Sequence, residues 1–334
     1  MSDFRELRRK LLSRLVNGEV TPDDYFTILE EIGQAERKEI LDQENALSTQ
    51  PFDSTAKGTL RPGIQLGPYC VQNMLGKGGM GEVWLAWEEV GGFYVVIKCL
   101  PRHLQEKELR DVLAVFHRVR LLQHQCICPV YTLGKDRSLG YYFVMKYVEG
   151  YSLNYFFDDW HANESQHKEE QFVSILERVA SALDYAHSRK VIHRDVKPRN
   201  IMVSDNLDDV QVVDFGLAAR IQGTLDLPKS KEQISGTPAY MAPEQWEGTH
   251  QDGRTDQYGL ACVAYEGVSH GQLPFGREPK TIWPQIVQDE PKVVHTVNQN
   301  VNDVLSKGLA KRQADRFDSC VEFIDALKVA LRQQ

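Results

Sequence analysis

The sequence predicts an α+β fold in which a strand-rich stretch is followed by a helix-rich one. Between Gly67 and Gly150, five short runs have strand character: Tyr69–Leu75, Glu82–Trp87, Phe93–Leu100, Val130–Leu133 and Tyr141–Tyr147. Beyond Gly150 the period changes, and Phe172, Ile175, Leu176, Val179, Leu183 and Ala186 recur at the spacing of one buried helical face. No internal repeat interrupts this order.

Ahead of these two stretches, Phe4, Leu7, Leu11 and Leu15 mark an amphipathic helix over 3–16 that Asn17-Gly18 ends. Thr21, Pro22 and Asp24 supply an N-cap, a first-turn proline and a dipole-favourable carboxylate for a second helix carrying Tyr25, Phe26, Leu29 and Ile32. Residues 1–47 therefore read as a helical hairpin, too small to hold a core alone and expected to dock on a neighbouring surface or partner. Residues 48–66 mix Ser, Thr, Pro and Gly without periodicity and read as a linker. The main domain is expected over 67–331.

The chain has 334 residues, 42% hydrophobic and 26% charged, with a formal net charge of −8. That composition excludes a wholly disordered chain, and the acidic balance argues against a nucleic-acid-coating protein. No run approaches the roughly 20 apolar residues of a membrane span. Charged residues break the first thirty positions where a signal peptide would need an apolar core. Six cysteines, at 70, 99, 126, 128, 262 and 320, show no Cys-x-x-Cys pair and read as reduced thiols. The expected location is cytoplasmic. His124, Cys126 and Cys128 alternate on an extended segment, but without a second ligand group nearby they read as a buried turn rather than a metal site.

The chemistry-bearing residues lie in the main domain. Gly76, Lys77, Gly78, Gly79, Met80 and Gly81 form G-x-G-x-x-G between two strands, a loop whose backbone can approach phosphate oxygens. The Rossmann alternative needs a helix at the last glycine, whereas Glu82-Val-Trp-Leu-Ala-Trp87 is β-branched and aromatic. Lys98 closes the third strand-like run, behind that hairpin. Further on stand His193-Arg-Asp195-Val-Lys197-Pro-Arg-Asn200, Asp214-Phe-Gly216 and Ala242-Pro-Glu244.

With these motifs in this order, the chain resembles the protein kinases, specifically the bacterial-type (Hanks-type) serine/threonine protein kinases, over about residues 67–331. The resemblance implies a two-lobed fold with a small β-rich lobe at 67–148 and a helical lobe at 149–331. It implies transfer of the ATP γ-phosphoryl group to protein Ser/Thr hydroxyls, with ATP and Mg²⁺ required. By motif position, Asp195 is the catalytic-loop base, Lys197 contacts the transferring phosphoryl group, and Thr237 bridges the two. Asn200 and Asp214 match the Mg²⁺ ligands. Nucleotide contacts fall on Leu75, the glycine loop 76–81, Glu82, Val83, Val96, Lys98, Met145 as gatekeeper, Lys146 and Val148 as hinge, and Met202. Glu244 and Arg316 match a structural ion pair, and Asp256 an aspartate bracing the catalytic-loop backbone. Arg194 implies a phosphate on the activation segment, where Thr224, Ser230 and Ser235 are the candidate autophosphorylation sites.

Two departures stand out. The family places a glutamate on the helix after the lysine strand to pair with Lys98; counting back from His124 puts Val115 there. Asp111 and Glu108 lie about one and two helical turns away and are the candidate substitutes. Val96 also replaces the usual alanine over the adenine. Two readings follow: an active kinase with a rearranged lysine anchor, or a pseudokinase that binds nucleotide as a regulatory scaffold. The complete set Asp195, Lys197, Asn200 and Asp214 favours the first.

Overall fold

The computed structural model describes residues 60–78, 81–101, 106–136, 139–162, 166–215, 238–276 and 282–333. The chain divides into two units, residues 1–62 and 63–334. The expected hairpin over 1–47 lies outside the described residues, as do Gly79, Met80, Gly216, Thr224, Ser230, Ser235 and Thr237.

The second unit opens with six antiparallel strands: β1 (Gln65–Leu66), β2 (Tyr69–Gly78), β3 (Gly81–Glu88), β4 (Phe93–Cys99), β5 (Val130–Asp136) and β6 (Gly140–Lys146). Their order across the sheet is β1-β2-β3-β4-β6-β5. The five strand-like runs of the sequence all appear. The expected linker runs into β1, because Gln65 and Leu66 pair with Cys70 and Tyr69. Two residues are too few to show alternation, so this strand had no sequence signal. Helix α1 (Glu106–Val119) leaves the end of β4 and buries Val112, Phe116 and Val119.

The helical portion follows with α2 (Leu153–Ala162) and α3 (Gln166–Ser188), the latter carrying the predicted stripe. Phe172, Leu176, Val179, Leu183 and Ala186 on α3 have no exposed surface. A second sheet joins β7 (Tyr151–Ser152), just before α2, to β8 (Ile201–Val203) and β9 (Val210–Val212), which follow α3 and precede the remaining described helices. These are α4 (Pro243–Glu247), α5 (Gly253–Val268), α6 (Ile282–Gln288), α7 (Gln299–Gly308) and α8 (Cys320–Leu331).

Helix α5 organises the core. Every residue from Thr255 to Val268 is buried, so the helix is enclosed on all sides rather than amphipathic. Asp252 caps it by accepting the Arg254 amide at 2.8 Å. Gly259 and Gly267 let neighbours in: a Cβ on Gly267 would lie 2.4 Å from the Phe172 ring of α3. A rigid, buried helix is a suitable base for a catalytic loop, and its first turn supplies Asp256.

Candidate active site

The segment between α3 and β8 has a backbone that secondary structure does not hold. Asp256, on the first turn of α5, holds it instead. Its carboxylate accepts the His193 amide at 2.7 Å and the Arg194 amide at 2.6 Å. The same carboxylate accepts His187 Nε2 at 2.7 Å. Burial alone would push the Asp256 carboxyl up, but these donors hold it below the usual carboxylate range. Arg194 sits at φ 68°, a left-handed conformation that a non-glycine residue keeps only when its surroundings enforce it. Gln245 Nε2 adds to that enforcement by donating to the Arg194 carbonyl at 2.8 Å. His193 Nε2 donates to Val213 O at 2.9 Å while its Nδ1 accepts the Asp195 amide at 3.2 Å. That pattern assigns the ring proton to Nε2.

Asp195 is thereby aimed. Its two carboxylate oxygens lie 2.8 and 2.7 Å from Lys197 Nζ, and Oδ2 also accepts Asn200 Nδ2 at 2.9 Å. Asn200 Nδ2 further donates to the Asp195 carbonyl at 2.7 Å, closing the loop on itself. Pro198 opens the short turn Pro198–Asn200, where its fixed φ suits the first position. The carboxylate keeps 17% of its surface exposed while Lys197 is buried, so a fixed acceptor faces outward over a buried cation.

Lys98 comes from β4, whose register sets it opposite Val83 on β3 and Phe143 on β6. Its ammonium is buried and lies 2.7 Å from Asp214 Oδ2. Asp214 stands just past β9 at φ 66°. Burial pushes its carboxyl up, and the Lys98 charge more than offsets that, leaving it below the usual range. Among the described residues the acidic group paired with Lys98 is Asp214, not the expected substitute Asp111. The Glu108 side chain lies outside the described residues. Val115 is half-buried and packs against the apolar residues beside it instead of presenting a charge. The Val213 amide donates to the Asn200 carbonyl at 2.9 Å, which brings Asn200 next to Asp214 in space. Asn200 and Asp214 together offer oxygen donors only, the hard set that Mg²⁺ takes, so the residues fit that ion.

The predicted adenine residues converge only in part. Val96, Met145, Val148 and Met202 meet in one apolar cluster, and Val96 pairs with Met145 across the sheet. Phe143 and Val213 also belong to this cluster and carry no motif that would have singled them out, and Cys128, singled out only as a rejected metal ligand, joins them. At the hinge, the Lys146 amide already donates to Pro129 O at 3.0 Å. Leu75 is exposed, and Val83 lies beyond it on β3 opposite Gly76. In the glycine hairpin, Lys77 and Glu82 face each other and pair at 3.0 Å. Gly81 has φ 111°, and a Cβ there would fall 1.9 Å from the Cys99 carbonyl oxygen. Only glycine lets the hairpin pass so close to the end of the lysine strand.

Glu244 and Arg316 form the predicted buried pair, with two parallel bonds of 2.8 Å. Among the described residues, His124, Cys126 and Cys128 do not converge as ligands; the His124 ring instead accepts the Cys126 amide at 3.1 Å.

Comparison with known proteins agrees with this geometry. The protein kinase domain family matches residues 69–326. The chain is 32% identical over 284 residues to the serine/threonine-protein kinase Pkn1 of Myxococcus xanthus, covering 81% of this chain and 39% of that protein. It is 30% identical over 271 residues to the serine/threonine-protein kinase PrkC of Bacillus subtilis, covering 79% and 40% respectively. The chain thus spans about two fifths of the length of these curated relatives. The crystal structure of the Mycobacterium tuberculosis PknI kinase domain superposes with a TM-score of 0.65 at 29% identity, over 81% of this chain and 100% of that one. The chain belongs to the protein kinase family, within its bacterial serine/threonine branch.

Proposed function

We propose that this protein is a serine/threonine protein kinase that transfers the γ-phosphoryl group of Mg²⁺-bound ATP to protein hydroxyls. The observation that carries the reading is the Asp195 carboxylate, oriented by Lys197 and Asn200 on a backbone clamped by Asp256. Phosphoryl transfer needs positioning and charge stabilisation more than covalent help. In this reading Asp195 accepts the substrate hydroxyl's proton and points its oxygen at the γ-phosphorus. Lys197 then neutralises charge on the transferring group, and Thr237 braces both. Lys98 meets the α- and β-phosphates, which the glycine loop covers. Asn200 and Asp214 would hold Mg²⁺, which neutralises phosphate oxygens as their charge redistributes. The cluster around Val96, Met145, Val148 and Met202 takes the adenine, with Leu75 and Val83 above it.

The pseudokinase alternative rested on Val115 standing where the family has its glutamate; the Lys98–Asp214 pair nevertheless gives the lysine an acidic partner. Arg194 beside the catalytic aspartate supports control by phosphorylation at Thr224, Ser230 or Ser235. Cytoplasmic work on signalling proteins is consistent with cysteines that are all unpaired, as a reducing compartment keeps them. No helix among the described residues is long and apolar enough to cross a membrane.

The test is incorporation of labelled phosphate into the protein itself and into a generic Ser/Thr substrate, with Mg²⁺, beside Asp195→Asn. Label that appears in the parent and vanishes in the variant supports the reading. Absence of transfer from a parent that still binds ATP overturns it.

A further inference from the structure

Beside the Asp256 carboxylate, which holds both His187 and the His193 amide of the catalytic loop, three side chains of different chemistry come together. Asp184 and His187 come from the last turns of α3, and Cys320 is the first residue of α8. One ligand atom from each, a carboxylate oxygen, a ring nitrogen and Sγ, lies within 4.8 Å of the other two. We propose that this cluster is a binding site for a borderline-soft divalent cation, Zn²⁺ above all, distinct from the Mg²⁺ of phosphoryl transfer.

Ligand type supports that class. An oxygen, an imidazole and a thiolate are a donor set that zinc accepts, whereas Mg²⁺ prefers oxygens alone. Tetrahedral zinc with bonds of about 2.0 to 2.3 Å separates its ligand atoms by roughly 3.3 to 3.8 Å. His187 Nδ1 and Asp184 Oδ1 are already 3.5 Å apart, so closure asks only for a small inward shift of the thiol.

Orientation supports it independently. His187 Nε2 donates to the buried Asp256 carboxylate at 2.7 Å, which turns Nδ1 toward Asp184. A histidine fixed by a carboxylate on one nitrogen while the other faces a ligand cluster is the usual outer-shell arrangement of metal sites. Asp184 is fixed as well: its oxygens accept the Cys320 amide at 3.0 Å and the Val321 amide at 2.9 Å. A carboxylate has lone pairs enough for these two amides and an ion. An open pocket lined by Asp184, His187, Asp252, Arg254, Asp318 and Ser319 reaches the two α3 ligands, while Cys320 beside them is buried. The pocket leaves the fourth coordination position to water. On binding, the ion takes the place of the proton between His187 and Asp184 and displaces the thiol proton of Cys320.

The ion would join α3 to α8 and reach the catalytic loop through His187 and Asp256, since Asp256 also holds the His193 and Arg194 amides. It would therefore stabilise the fold when bound, as any ligand specific to the native state does.

Co²⁺ and Zn²⁺ titrations of the full chain, stripped of metal by chelator, test the site. The expected result is one Co²⁺ per chain with a thiolate-to-metal charge-transfer band, displaced by Zn²⁺, and a Zn²⁺-dependent rise in melting temperature. Cys320→Ala should abolish the band and weaken Zn²⁺ by about 100-fold or more, since even outer-shell losses cost 10–100-fold. Cys262→Ala, at a buried cysteine outside the cluster, should leave both unchanged. If Cys320→Ala does not fold, Asp184→Asn keeps an oxygen for the α8 amides and should still weaken Zn²⁺ at least tenfold. A parent chain without the charge-transfer band, or a band that survives both Cys320→Ala and Asp184→Asn, overturns the proposal.

Discussion

Lys98 and Asp214 are joined by a 2.7 Å ion pair in which the ammonium is almost wholly buried and the carboxylate keeps 20% of its surface. The pair ties the lysine strand to the end of β9, so among the described residues Lys98 is held from the catalytic side. Two buried charges at this distance hold each other only while both are present. With Val115 where a helix carboxylate would stand, the lysine is still placed, by Asp214.

The first prediction follows from that dependence. Lys98→Met should lower phosphoryl transfer by on the order of 10² to 10³, the usual loss when one preorganised charge is removed from an active site. Circular dichroism should show the fold intact, because methionine fills the same volume beside Phe143. A variant keeping more than a tenth of parental kcat/KM would show that Lys98 does not act on the nucleotide.

The second prediction separates α1 from the lysine. Since the ammonium is committed to Asp214, Asp111→Asn should change kcat/KM by no more than about twofold, as a surface charge change normally does. Val115→Glu places a charge among Val112, Phe116 and Phe143, and should cost about 1–3 kcal/mol in urea titrations. A tenfold loss in Asp111→Asn, or a Val115→Glu variant both faster and more stable than the parent, would return the anchor to α1.

Much of this site is legible in the sequence because the catalytic loop is local. Asp195, Lys197 and Asn200 lie within six positions, and their mutual hydrogen bonds follow from that spacing and one proline. The Glu244–Arg316 pair is distant in sequence but was expected from the resemblance, with Glu244 in the Ala-Pro-Glu motif. The pairing of Lys98 with Asp214 was not legible, because the sequence pointed to Asp111 or Glu108 and only the way β9 meets β4 in space brings Asp214 to the lysine. Periodicity cannot report that. Phe143 and Val213 were invisible for a related reason: one is an ordinary strand residue and the other stands just past β9, and only the fold sets them in one cluster with Met145 and Met202. The strands β7 to β9 escaped notice because two or three residues carry no alternation.

The third prediction contrasts two glycines of one loop. Gly81→Ala forces a Cβ against the Cys99 carbonyl at a φ of 111°, and should cost about 1–3 kcal/mol and loosen ATP binding. Gly76→Ala has no atom within 4 Å of its new Cβ, and should change stability by at most about 0.5 kcal/mol. Equal effects of the two substitutions in thermal melts would mean that the loop's glycines serve flexibility alone.

The fourth prediction concerns Glu244 and Arg316. The Arg316 side chain is fully enclosed and makes two 2.8 Å bonds to the carboxylate. It also donates to the carbonyls of Ala310, Arg254 and Lys311, so it cannot swing away when its partner loses charge. Glu244→Gln keeps the shape and removes the charge, and should cost about 3–5 kcal/mol at pH 7. The acid dependence has a definite sign. Burial pushes the Glu244 carboxyl up, and the Arg316 bonds more than reverse this, leaving it below its usual value. A depressed carboxyl contributes stability that is complete above the unfolded value of about 4.3 and is lost as pH falls through the lower folded value. Urea titrations of parent and variant should therefore differ by a constant amount from pH 7 down to about 5, and converge as pH falls below about 4. A difference under about 1 kcal/mol at pH 7 would class the pair with ordinary surface ion pairs. A gap that fails to narrow in acid would show that Glu244's charge is not what holds Arg316.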